Sequence, residues 1–295
     1  MRRISIFLIV AGLIAGMAGC SIFPSNNLEI RTWYDLNAIR NNLGGSYILK
    51  NNLDSTTAGY AELASPTANG GKGWQPIGTF NAQFSGTFNG QGYRISDLFI
   101  NRPDEMYVGL FGVVDNGGVI QGIGVVNGNV TGYAGVSSLT GGNEGIVSSS
   151  YSTGTVNGTA WVGGLVGANA GTVGNSYATG GVTGKESVGG LVGDNIHGTV
   201  LNSYSTGGVT GNLSVGGLVG NNTGTVNNSF WDIVTSGQAT SAGGMGKTTA
   251  AMKSIATFSG AGWNITAVAN PGTRNLSYIW NIVDNVTYPF LSWQP

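Results

Sequence analysis

Charge is scarce in this 295-residue chain: only 8% of residues are Asp, Glu, Lys or Arg, and the formal net charge is −1. With no basic patch, the composition argues against electrostatic capture of nucleic acid or of an anionic membrane. Cysteine occurs once, at Cys20, so no disulfide framework can staple the fold and stability has to come from packing. Histidine also occurs once, at His197. A zincin needs two histidines one helical turn apart with a glutamate between them, and a serine triad would have to use this same residue with no nucleophile-elbow motif beside it. Long apolar runs are missing too: Ile4 to Met17 is too short for a comfortable membrane span. Nor is there a phosphate-binding loop. Ser241 to Thr248, SAGGMGKT, has Ser241 where the first glycine is required and no buried strand leading into it.

Glycine, by contrast, is abundant, with 53 residues, and 41% of the chain is hydrophobic. The apolar residues are periodic. Val162, Val188 and Val215 open three copies of VGGLVG, each followed by a GTV and an NSY- or NSF-type segment, so the period is 26 and then 27 residues. A Gly-rich, β-branched period of this size predicts a β-solenoid. Worn copies lie upstream at Val136 to Gly141, at Val108 to Gly112 and within Phe84 to Ile95. Asn89, Asn116, Asn143, Asn169, Asn195 and Asn222 recur at steps of 27, 27, 26, 26 and 27, which predicts about six coils. Asparagine tolerates the left-handed backbone of sharp corners, and stacked amides can bond along the axis, so this column reads as structural.

Other columns fill the coil. Ile95, Ile120, Val147, Val173, Val200 and Val226 form a β-branched set, and Phe99, Tyr151, Tyr177, Tyr204 and Phe230 form an aromatic set that Gly124 interrupts. Val130, Val156, Val182 and Val209 form a third, which predicts three short strands per coil. Phe at both ends of the aromatic set predicts inward or rim packing with a dispensable hydroxyl. Before the repeats, Thr32 is placed to cap a helix through Trp33, Leu36, Ile39 and Leu43, with Asp35 at the third helical position. That helix would cover the open end of the solenoid. After Asp232 the period is lost. A short helix capped at Thr248 or Thr249 and a bunch of aromatics predict a cap over the last coil, and Trp263, Trp280 and Trp293 are candidates for stacking on a glycan.

Two resemblances add to this. Arg2, Arg3, the apolar stretch and the sequence Met17-Ala18-Gly19-Cys20 resemble the signal and lipobox of bacterial lipoproteins. That implies cleavage before Cys20, acylation of its thiol and a lipid anchor; Ser21, rather than Asp, implies the outer membrane or cell surface. The VGGLVG copies and their NSYATG-type segments resemble the GLUG repeat of exported bacterial and archaeal proteins, which implies a right-handed parallel β-helix on an adhesin-like surface protein and supplies no catalytic residue.

The expected organisation is a signal peptide over 1–19, a tether over 20–29, an N-terminal cap and first strands over 30–83, the solenoid over 84–235 and a C-terminal cap over 236–295. The expected role is binding or scaffolding at the cell surface, toward a surface glycan or another surface protein, with no cofactor or metal. Two alternatives belong to other classes. A polysaccharide lyase or glycoside hydrolase would draw on acids such as Asp97, Asp115, Glu144, Glu186 and Asp194, no two of which share a column in successive clean coils. An ice-binding face would use the threonine columns Thr172, Thr199, Thr225 and Thr153, Thr179, Thr206.

Overall fold

The computed structural model describes residues 27–294. Cys20 and the signal-like segment lie outside the described residues. Within them the chain winds into a parallel β-solenoid of about five turns. Each clean coil carries five short strands rather than three. In the coil from Thr155 these are Thr155–Asn157, Ala160–Gly163, Val166–Asn169, Thr172–Gly174 and Tyr177–Ala178, and each pairs in parallel with its counterpart one period later.

Stacking produces four sheets. Eight strands, from Leu28–Ile30 to Thr225–Asn227, form a base sheet in which Tyr47, Phe88, Ile120, Val147, Val173, Val200 and Val226 share one column. Phe88, not Ile95, therefore belongs with the valines. Ile95 instead aligns with Val125, Ser152, Ala178, Ser205 and Trp231 in a seven-stranded tyrosine sheet. Arg94 and Gly124 precede Tyr151 in the aromatic column, whereas Phe99 pairs with Asn129 in a different sheet. These worn coils differ in length from the clean ones, so counting a fixed period from Tyr151 lands in the wrong sheet.

The remaining two sheets form an arch built by VGGLVG. One sheet has two arms, joined through the long strand Asn129–Val136; the other is five-stranded, from Phe111–Val114 to Val219–Asn222. The first glycine of the motif is needed because a Cβ on Gly163 would lie 2.0 Å from the Val166 carbonyl oxygen. The second lets the arch approach the tyrosine sheet: a Cβ on Gly190 would lie 2.8 Å from Ser205 Oγ. Ser152, Ala178 and Ser205 are small for the same reason, and the two serines donate across the interior to Gly164 and Gly217 carbonyls at 2.8 and 2.6 Å.

Two columns hold the corners. Gly122, Ser149, Asn175, Asn202 and Asn228 are left-handed with φ between 47° and 64°, so the asparagine of NSY is the corner residue. A serine ladder follows it: Ser150, Ser176 and Ser203 each receive, at their backbone N–H, the hydroxyl of the next coil's serine as acceptor at 3.1–3.2 Å. The second left-handed column, Tyr107, Gly135, Trp161, Ser187 and Ser214, precedes the first valine of each arch.

Both ends are closed. At the N-terminus Thr32 and Asp35 form a reciprocal capping box on the helix Trp33–Ala38, which continues as a 3-10 turn over Ile39–Asn41 and buries Trp33, Leu36 and Ile39. Trp33 meets Trp74 edge-on at 5.6 Å between ring centroids. At the other end Trp231 fills the last interior position, and Ala242 N–H bonds to the Val219 carbonyl over the final arch strand. Residues after 247 form the expected aromatic cluster and cover the side of the last coil, where Phe258 and Trp263 lie 5.4 and 6.0 Å from Phe230 and Trp263 Nε1 donates to the Asn228 carbonyl. They turn back along the outside of the tyrosine sheet through the helices Thr249–Met252 and Ile255–Ser259 and a small sheet of Ile265–Ala267, Trp280–Ile282 and Phe290–Leu291.

Candidate functional site

The six-membered asparagine column divides. Asn143, Asn169, Asn195 and Asn222 form a ladder in which each Nδ2 donates to the next Oδ1, at 2.8, 2.7 and 2.7 Å. The second hydrogen of the amide goes to a backbone carbonyl, as in Asn195 to Gly198 at 3.1 Å. Their backbones are strand-like rather than left-handed; the corner role belongs to the NSY asparagines. Asn89 and Asn116 lie elsewhere. Asn89 pairs with Gln121 in the base sheet, and Asn116 is exposed in a turn, while Val114 holds the ladder position of its coil. With valine there, Asn143 Oδ1 has no donor.

Trp263 and Trp280 present no face to a sugar, being 5% and 0% exposed. Together with the half-buried Trp293 they line the underside of the C-terminal flank and cover the tyrosine column. That column points outward from the coil, not inward. Tyr151, Tyr177 and Tyr204 stack nearly parallel at 5.1 and 4.9 Å, and the flank's rings lie against them: Trp280 at 5.9 Å from Tyr204, Trp293 at 5.8 Å from Tyr151. The hydroxyls are used. Tyr204 donates to the Pro289 carbonyl at 2.6 Å, Tyr177 accepts from Gln294 Nε2 at 2.6 Å, and Tyr288 donates to Asp232 at 2.7 Å. Asp232, itself fully buried, also caps the turn after Phe230–Asp232 by accepting from Val234 N–H at 2.8 Å.

Burial pushes the hydroxyls of Tyr151, Tyr177 and Tyr204 up, and burial together with the Asp232 carboxylate pushes Tyr288 up to about 12. A phenol with a raised folded-state pKa holds its proton where the unfolded chain has released it, so its stabilisation is complete below about pH 10 and is lost as pH rises through the folded value. Urea midpoints should therefore fall between about pH 8 and about pH 11. Equal midpoints would show that the flank does not shield these phenols.

The arch carries a set of side chains that the repeat does not require. Tyr107 and Trp161 occupy its left-handed column, which the other coils fill with Gly135, Ser187 and Ser214. Phe80, 64% exposed on a tight turn closed by Thr79 and Ala82, stacks on Tyr107 at 5.9 Å and 12°. Tyr133 and Met106, both 47% exposed, lie within two residues of the same column. Further along the arch, Asp194 is buried and accepts from Asn221 Nδ2 at 3.0 Å; burial raises its pKa, with the Glu186 charge adding to the rise. Spacing alone missed the aromatic set because it breaks the columns. The available signal was that bulky rings at Tyr107 and Trp161 stand where the other coils carry Gly135, Ser187 and Ser214.

Other candidates stay apart. Thr172, Thr199 and Thr225 do form one outward column of the base sheet, but its companion column is Gly174, Leu201 and Asn227, so no flat two-column threonine array results. His197 is exposed at a corner with φ 61°. Among the described residues no three His, Cys, Asp or Glu side chains gather to hold a metal, and no helix is long and apolar enough to cross a membrane.

No protein-family model matches the chain. It is 35% identical over 143 residues to a protein of Evansella cellulosilytica named "Putative Gly-rich membrane protein", and 34% identical over 133 residues to "Halomucin" of Haloquadratum walsbyi. The matches involve 45% and 44% of this chain but only 16% and 1% of those relatives, so the chain spans a small part of their length. Among solved structures it is similar to a "putative immunoglobulin A1 protease" of Bacteroides ovatus, with a TM-score of 0.55 and 20% identity, over 70% of this chain and 67% of that one. At that identity the likeness is one of fold.

Proposed function

We propose that this protein is an exported surface protein that binds or scaffolds at the cell exterior through the outward faces of its solenoid, attached to the membrane by a lipid on Cys20. The observation that carries the binding role is the division of labour within each coil. The interior valines, the asparagine and serine ladders and the buried tyrosines hold the fold. Outward side chains such as Thr172, Thr199 and Thr225 of the base sheet belong to none of these ladders, which suits a display surface. A relative named as a membrane protein supports the address.

The anchor and the exposure are tested separately. Metabolic labelling with a palmitate analogue should mark the wild type and fail for Cys20→Ala; label persisting in the variant would refute acylation at this cysteine. Protease added to intact cells should remove the solenoid from the wild-type surface, and a solenoid protected until lysis would refute display.

A further inference from the structure

Side chains of the left-handed arch column lie over the five-stranded sheet. The Tyr107 ring shows their direction: a Cβ on Gly135 or on Gly142, both one rung further on, would lie 2.9 or 3.1 Å from its Cδ1. Column and sheet keep their registers along the axis, through Trp161, Ser187 and Ser214 on one side and Ala168, Asp194 and Asn221 on the other. The same direction carries Trp161 toward Ser187 and Asp194, and Ser187 toward Ser214 and Asn221. A Cβ on Gly193 or Gly220 would accordingly meet the carbonyl carbon of Trp161 or Ser187, at 2.4 and 2.5 Å. The rings end after Trp161, and small polar groups take their place.

The fold does not account for these polar groups. Asp194 is 7% exposed, in a chain where charge is scarce, and the preceding rungs hold Val113, Gly142 and Ala168 at its position. Its hydrogen bond comes from a neutral amide, Asn221 Nδ2. Among the described residues no cation pairs with Asp194 or with Glu186, whose charge is close enough to raise the Asp194 pKa. A carboxylate taken out of water needs a positive partner or several donors to offset the lost hydration. Ser187 is 4% exposed, and its hydroxyl makes no hydrogen bond among the described residues, unlike the ladder serines Ser176 and Ser203. Ser187 Oγ, Asn221 Oδ1 and Asp194 Oδ2 are all unpartnered there, yet none is sealed from solvent. Oxygens converge on this place without a positive charge to receive them.

We infer that Asp194, Glu186, Ser187 and Asn221 form a binding site for a hard divalent cation, calcium in preference to magnesium. Its donors are all oxygens, two carboxylates and two neutral groups, which suits Ca2+, since that ion takes roughly six to eight oxygens, waters included, in a flexible geometry, whereas Mg2+ demands a near-ideal octahedron. So few charges make the site weak, with a Kd of about 10^-4 to 10^-3 M, as in extracellular modules. Gatherings of His, Cys, Asp and Glu alone do not reveal it, because half of its donors are a hydroxyl and an amide. The ion ties the last two rungs of the arch together, and Trp161 shields it from the rung before.

The test uses the full-length purified chain in detergent. Calcium at about 10 mM should raise the melting temperature by about 2–5 °C, and magnesium at the same concentration by much less. Asp194→Asn, which keeps the shape of the side chain, should abolish the calcium shift. Glu144→Gln removes the same charge from an exposed acid elsewhere and should keep it. Terbium, which occupies calcium sites and luminesces when a nearby indole absorbs for it, should emit with the wild type and lose most of that emission with Trp161→Ser. If Asp194→Asn does not fold, Ser187→Ala decides in its place, with calcium affinity expected to fall at least about threefold. The site is overturned by any of four results: no calcium shift in the wild type, an equal shift from magnesium, terbium emission that survives Trp161→Ser, or a full shift in Asp194→Asn. Unchanged affinity in Ser187→Ala, where that variant has to decide, overturns it as well.

Discussion

Replacing Trp280 with alanine is expected to lower the unfolding free energy by about 3–5 kcal/mol, the usual loss when a fully buried large aromatic is truncated. Trp280 is 0% exposed in the central strand of the flank sheet, with Ile265–Ala267 on one side and Phe290–Leu291 on the other. Its ring lies 4.8 Å from Trp263, 5.9 Å from Tyr204 and 6.1 Å from Tyr177. The truncation would therefore open a cavity exactly where flank and solenoid meet, and neighbouring rings held by their own stacking cannot collapse into it. Trp280→Phe should cost much less, since the indole Nε1 has no hydrogen-bond partner to lose. Urea unfolding followed by circular dichroism checks both. A loss below about 1 kcal/mol for alanine would mean that the flank rests on the tyrosines without supporting the fold.

Asn169→Leu is expected to cost about 2–5 kcal/mol, because it strands two buried polar groups at once and each carries a desolvation penalty. Asn143 Nδ2 would lose its acceptor and Asn195 Oδ1 its donor. Asn169 is completely buried, so water cannot replace them. Lys185→Ala, on an exposed loop, should leave the melting temperature almost unchanged. The same substitution at Asn116, which shares the sequence column but not the ladder, should also be nearly silent. If Asn116→Leu proved as damaging as Asn169→Leu, the division between ladder and turn would be wrong.

That comparison shows where sequence spacing stops being informative. The valine and tyrosine registers of the clean coils, Val147 to Val226 and Tyr151 to Phe230, were legible because a constant period forces identical residues into one column. Upstream the coils change length, and Asn116, Ile95 and Phe99 drift out of the positions that counting assigns them. The asparagines of NSY lay in plain sight, but the two asparagine sets look alike in sequence; the left-handed backbone of the corner residue Asn175 and the amide ladder of Asn169 separate them only in the structure.

The sequence by itself determined that this chain would be a parallel solenoid with a capped helix at its start, because a repeated apolar pattern leaves few ways to bury itself and the Thr32–Asp35 pair encodes its own local geometry. It also determined that no disulfide could hold the fold, since one cysteine cannot pair within the chain. Tertiary structure alone decided which aromatics are buried and which face solvent. Trp263 and Trp280 disappear beneath a returning flank, while Phe80 and Tyr133 stay exposed beside the arch. The physical reason is that a ring's exposure depends on a segment distant in sequence, here residues 248–294 folding back onto the tyrosine sheet, and the spacing of residues along the chain carries no record of where such a segment will come to rest.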